Sequence, residues 1–178
     1  RSEVRRFREL GAQGVVIGML KPDGTLDVKH LEMLMEEAKG MSVTLHRAFD
    51  VCRDPEEALE QAISLGFNTI LTSGQRNNCV DGSGLLAELV KKSAGRIHIM
   101  AGAGVNADAV SSIYEKTGIT DYHMTGKIVL ESEMQYRKDG VSMGLPSLSE
   151  YEIFRTSEIE VQKARNVLNA LSQKRNAI

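Results

Sequence analysis

Apolar residues follow two rhythms along this chain. Short bursts, Gly14 to Leu20, Ser42 to Arg47, Asn68 to Thr72, Arg96 to Ala101 and Thr120 to Met124, are nearly all apolar or alternate with a period of two. Those are the patterns of strands. Between them lie stretches with a period of three to four: Val28, Leu31, Leu34, Met35 and Ala38; then Ala58, Leu59, Ala62, Ile63 and Leu65; then Leu85, Leu86, Leu89 and Val90; then Ala109, Val110, Ile113 and Tyr114. Each predicts an amphipathic helix. Start and stop signals agree with the pattern. Asp27, Asp54 (followed by Pro55, Glu56 and Glu57) and Asn106 are N-cap residues, and Gly40, Gly66, Gly95 and Gly118 follow the helices as stops. Ser2 to Leu10 reads as a helix already under way, and Ser157 to Leu171 as a last one.

The result is a helix, four strand-helix steps and a fifth strand, with strands about two dozen residues apart, the length of a βαβ step. The expected fold is α/β of the (β/α)8 TIM-barrel type, one domain over 1–178. A whole barrel takes about 250 residues, so the expectation is an incomplete barrel, about strands 4 to 8. Such an arc exposes two parallel edges, which favours a truncated chain or completion by a partner, in a homodimer or higher homo-oligomer. The run Gly14 to Leu20 reads as covered on both sides. From Ile128 to Leu148 the pattern dissolves into a long mixed segment holding Gly140, Gly144 and Pro146.

Composition narrows the function classes. A net charge of −2 over 178 residues gives no electrostatic case for nucleic acid or an anionic membrane surface. No apolar run reaches the roughly 20 residues of a membrane span, and no signal peptide is expected from the charged first residues. The two cysteines, Cys52 and Cys79, have neither disulfide-scaffold nor zinc-module spacing, which points to a reducing cytoplasm. No Ser-His-Asp order, HExxH, Walker loop or EF-hand is present.

Candidate chemistry gathers where strands end. Ser42 to Asp50 alternates, with Val43 and Leu45 on one face, then stops and delivers His46, Arg47 and Asp50 just before a helix start. Ligands bind at that end of parallel strands. His46 can serve as acid, base or metal ligand, or as a structural histidine, and spacing alone does not separate these. Arg47 and Asp50 are better explained as a pair stapling the loop than as an anion site. His123 mirrors His46 at the end of the last strand, as a catalytic candidate across the mouth. His98, between Ile97 and Ile99, favours core packing, and His30 favours a solvated helix surface. The turns Thr72-Ser73-Gly74, Gly102-Ala103-Gly104 and Thr125-Gly126-Lys127 are candidate anion cradles, with Ser73, Gly74, Gly102 and Gly104 as the binding positions. The individual glycines are as readily explained by tight turns. Cys52 and Cys79 fall in loops after neighbouring strands. Soft thiolates suit Cu(I), although unrelated free thiols are the commoner case.

The run VTLHRAFD (Val43 to Asp50), then LTSG (Leu71 to Gly74), then the Gly102/Gly104 turn, then YHMTGK (Tyr122 to Lys127) and VSMG (Val141 to Gly144) resembles the CutC family of copper homeostasis proteins, in order and spacing, over nearly the whole chain. The resemblance implies a (β/α)8 barrel, a cytoplasmic location, a role in copper handling and, for some members, Cu(I) binding. It also implies a chain that starts in the third helix. The acidic, arginine and cysteine positions of the family's first three strands, among them those proposed for copper, are then absent. Three readings compete: a cytosolic copper-handling protein, a barrel enzyme acting on a small anionic or phosphorylated metabolite, and a scaffold or oligomer subunit without activity.

Overall fold

The computed structural model describes residues 1–141, 143–144 and 149–176 and divides into two compact units, Arg1–Met124 and Thr125–Ile178. The sequence reading takes 1–178 as one domain.

The first unit runs α1 (Ser2–Glu9), β1 (Gly14–Ile17), α2 (Val28–Glu37), β2 (Ser42–Leu45), a 3-10 turn (Arg47–Val51), α3 (Pro55–Leu65), β3 (Thr69–Thr72), α4 (Ser83–Ser93), β4 (His98–Ala101), α5 (Ala107–Thr117) and β5 (Asp121–Tyr122). All five strands are parallel and lie in chain order. The helix boundaries have local causes. Asp54 accepts hydrogen bonds from the N–H groups of Glu56 (2.9 Å) and Glu57 (3.1 Å), Pro55 occupies the first turn, and Gly66 closes α3 in the left-handed region. Asp27 and Asn106 cap α2 and α5 in the same way.

One sheet face carries the core. Register sets Val15 beside Val43 and Ile17 beside Leu45, and Ile70, Ile99 and Ala101 continue the layer. Leu31, Leu59, Ala62, Leu86, Leu89 and Ile113 meet it from the helices. Burying each large side chain stabilises the fold by about 1.5–3 kcal/mol. The opposite face is open among the described residues: Val16 is 61% exposed, and Thr44, Leu71 and Met100 are half-buried. The two-sided cover expected for β1 is therefore found on one side only. His98 also differs from expectation. Alternation places it on the open face, opposite Ile99, and its side chain is 71% exposed with Nδ1 3.7 Å from Asp121.

The second unit holds an antiparallel hairpin, β6 (Lys127–Glu131) and β7 (Glu152–Thr156), followed by α6 (Glu158–Asn176). Val129 pairs with Phe154, and the Lys127 ammonium lies 4.4 Å above the Phe154 ring. The mixed segment expected from Ile128 thus begins as a strand. Ser142 of the VSMG run, together with Pro146 and Leu148, lies outside the described residues. Among the described residues no helix is long and apolar enough to cross a membrane.

Candidate functional site

The carboxyl ends of β2 and β3 are tied together by one carboxylate. Oδ1 of Asp50 accepts from the Thr72 hydroxyl (2.5 Å), the Ser73 N–H (3.0 Å) and the Gln75 N–H (3.3 Å). Oδ2 accepts from Arg47 Nε at 2.6 Å, with the Ser73 hydroxyl 3.0 Å away. That hydroxyl also lies 2.5 Å from the Arg76 carbonyl and accepts from Arg47 Nη2 at 3.1 Å, so its single proton serves either Asp50 or Arg76. Burial pushes the Asp50 carboxyl pKa up, but the hydrogen bonds from Thr72, Arg47 and Ser73 outweigh it and hold the group below its ordinary value. Asp50 is an ionised, saturated hub. The staple expected of Arg47 and Asp50 is present, and it reaches further than that pair.

Two residues outside the predicted set complete the hub. Thr72 is fully buried, and its hydroxyl accepts from the Gly74 N–H (2.9 Å) while donating to Asp50. Gln75 sends its amide to the carbonyls of Phe49 (3.3 Å) and Cys52 (3.0 Å). Its backbone is left-handed at φ +56°, a conformation held by those bonds. In the sequence Thr72 figured only in a candidate cradle turn and in the run LTSG, not as a partner of Asp50, and nothing local marked Gln75.

His46 caps the 3-10 turn: its Nδ1 accepts from the Ala48 N–H at 3.0 Å, which assigns the proton of the neutral ring to Nε2. The ring lies against Gly18, where a Cβ would fall 2.6 Å from Nδ1 and Cε1. Gly18 was not singled out in the sequence, because its partner is far along the chain. His123 is exposed after β5, its Cβ facing Gly102. Two strands separate it from His46, on the order of 14 Å along the sheet. Among the described residues no hydrogen bond or ion pair joins the two imidazoles, so each stands alone on the rim.

In two of the expected anion cradles, N–H groups are already engaged from within the chain. The Ser73 N–H goes to Asp50, the Gly74 N–H to Thr72 Oγ1 and the Gly102 N–H to the Thr72 carbonyl at 2.9 Å. Gly104 packs toward Asn78, and a Cβ there would sit 3.1 Å from the Asn78 Cβ. Gly74 and Gly82 press backbone to backbone, leaving no room for a Cβ on either. These glycines fasten loops.

Both thiols are buried and free. Burial pushes Cys52 up to about 11, and its Sγ accepts from the Gln75 amide at 3.3 Å. Burial raises Cys79 as well. A thiolate is the form that binds soft metals, and in both environments burial favours the neutral thiol. Among the described residues no group of three or more His, Cys, Asp or Glu side chains is arranged to hold a metal ion.

The opposite is true of guanidinium chemistry. An open pocket of about 400 Å³ at this rim is lined by Arg47, Asp50, Val51, Gln75, Arg76 and Asn77.

A profile of the CutC family matches residues 1–128. A family protein CutC of Bacteroides fragilis (strain YCH46) is 48% identical over 151 residues, 84% of this chain and 60% of that protein. The chain therefore spans under two thirds of that relative's length. A crystal structure from Streptococcus agalactiae, named for a copper homeostasis protein CutC, superposes with a TM-score of 0.65 at 30% identity, covering 68% of this chain and 60% of that one. The aldolase QR15 matches with a TM-score of 0.51 at 19% identity, covering 68% and 58%. That likeness shows the fold alone. Both neighbours are of the TIM-barrel type, and the five-stranded sheet seen here is an unclosed part of that architecture.

Proposed function

The chain belongs to the CutC family, and we propose that it acts in cytoplasmic copper homeostasis, with Cu(I) as cargo that Cys52 and Cys79 do not hold. The observation that carries the copper half is the family match over residues 1–128, together with the role for which the S. agalactiae protein is named. Two free cysteines without metal-module spacing support a reducing compartment. The exclusion of the thiols rests on their burial, their raised pKa values and the lack of a third ligand among the described residues. The copper contact is then supplied by groups other than these two.

The test is genetic. A strain lacking the gene is grown on graded copper and complemented with the full-length gene, either unaltered or carrying Cys52→Ser and Cys79→Ser. Both forms restore tolerance under this reading. Failure of the unaltered gene to change copper tolerance removes the homeostasis role, and failure of the doubly substituted, folded protein alone removes the exclusion of the thiols.

A further inference from the structure

We propose that the rim pocket between the loops after β2 and β3 binds the oxyanion group, phosphoryl or carboxyl, of a small metabolite between the guanidiniums of Arg47 and Arg76. This inference goes beyond the copper role and does not rest on it.

The charge balance favours an anion. Two guanidiniums line the pocket against one carboxylate, that of Asp50. Thr72, Ser73, Gln75 and Arg47 fill both oxygens of that carboxylate, so it does not compete for the remaining guanidinium donors, and the three charges still sum to one positive. Arg47 is anchored through Nε to Asp50 and through Nη2 to Ser73. Among the described residues its Nη1 has no partner, and its side chain is 47% exposed. The guanidinium of Arg76 has no hydrogen-bond or ion-pair partner among the described residues. Neither does the Asn77 amide, a further polar group on the wall.

The pocket is also built in advance. Gln75 is held in a left-handed conformation by its side-chain bonds to Phe49 and Cys52 and by its N–H on Asp50. The next carbonyl, that of Arg76, lies within hydrogen-bond reach of the Ser73 hydroxyl. These bonds fix the backbone from which Arg76 projects and set it beside an already oriented Arg47. Strain concentrated at a loop of this kind is a common companion of ligand sites. A planar guanidinium held through one edge presents its remaining N–H donors to a planar or tetrahedral oxyanion. Val51 is the one large aliphatic residue of the lining, so the wall selects a polar ligand. A volume of about 400 Å³ suits a small metabolite. The same cationic wall disfavours a copper cation at this position.

The chain is titrated with inorganic phosphate and separately with malonate at constant ionic strength, with backbone amide shifts read by NMR. Arg76→Met is the informative variant, since the Arg76 side chain makes no hydrogen bond or ion pair among the described residues; Arg76→Lys is its control. Saturable shifts centred on Arg47, Gln75 and Asn77 are expected with at least one probe. Affinity falls about tenfold or more in Arg76→Met and returns in part in Arg76→Lys. The probe that binds tighter identifies the phosphoryl or carboxyl class. No saturable shift with either probe up to about 10 mM, or shifts unchanged by Arg76→Met, overturns the assignment.

Discussion

The Thr72 hydroxyl stands 2.5 Å from Asp50 Oδ1, and through that bond the end of β3 is fastened to the turn that follows β2. Neither residue is near the other in sequence, and neither is exposed: Thr72 is fully buried and the Asp50 side chain is 6% accessible. The bond belongs to a set in which one carboxylate orders Arg47 on one side and the Ser73–Gln75 backbone on the other.

Removing the carboxylate leaves the Thr72 hydroxyl and the Ser73 and Gln75 N–H groups without their acceptor. Asp50→Ala is therefore expected to cost about 2–4 kcal/mol of stability, since a buried charged partner and several donors lose their bonds at once. Thr72→Val keeps the volume and removes the hydroxyl, and its cost is about 1–2 kcal/mol. Urea unfolding followed by circular dichroism measures both, and a double-mutant cycle should return a coupling of about 1 kcal/mol or more. Additive losses would separate the two residues energetically.

Glu37 gives the fold an acid-sensitive joint. Hydrogen bonds from Arg5 and Arg1 hold its carboxyl down at about 2, against 4.5 for the free group. Because the folded value is depressed, the stabilisation is complete above 4.5 and disappears as pH falls through about 2. Asp50, also depressed, loses its contribution in the acid range below 3.8. Unfolding free energy measured from pH 5 down to pH 2 should fall, and Glu37→Gln should flatten part of that slope. An identical slope in the variant would count against the joint.

Gly18 is where the His46 ring meets the neighbouring strand's end. Gly18→Ala inserts a Cβ 2.6 Å from the ring and must displace it, breaking the Ala48 N–H to Nδ1 bond. The expected loss is about 1–3 kcal/mol, and the His46 ring nitrogens should change their NMR shifts. Retained Nδ1 acceptor shifts would show that the ring has room.

Much of the first unit was legible in the sequence because its signals are local. Asp54-Pro55 with Gly66, and Asn106 with Gly118, bracket α3 and α5 as their cap chemistry demands. The hairpin of β6 and β7 was not legible: Val129 finds Phe154 across a long connection, and neither strand carries a strong alternation of its own. His98 misled through its apolar neighbours; strand alternation sends it to the face opposite theirs. At the site, His46, Arg47 and Asp50 stood out as ionisable groups at a strand end. Gln75 and Gly18 did not, and Thr72 stood out only as the start of a cradle turn, since the role of each is defined by a contact more than twenty residues away.

The most direct measurement is a Cu(I) titration against a colorimetric chelator, under strictly reducing, anaerobic conditions, on the folded chain and on its Cys52→Ser/Cys79→Ser variant. Buried thiols with raised pKa values make poor ligands, so the two curves should coincide. Loss of a full equivalent of tightly bound Cu(I) in the variant, with the fold intact, would contradict the account and make Cys52 and Cys79 the copper site.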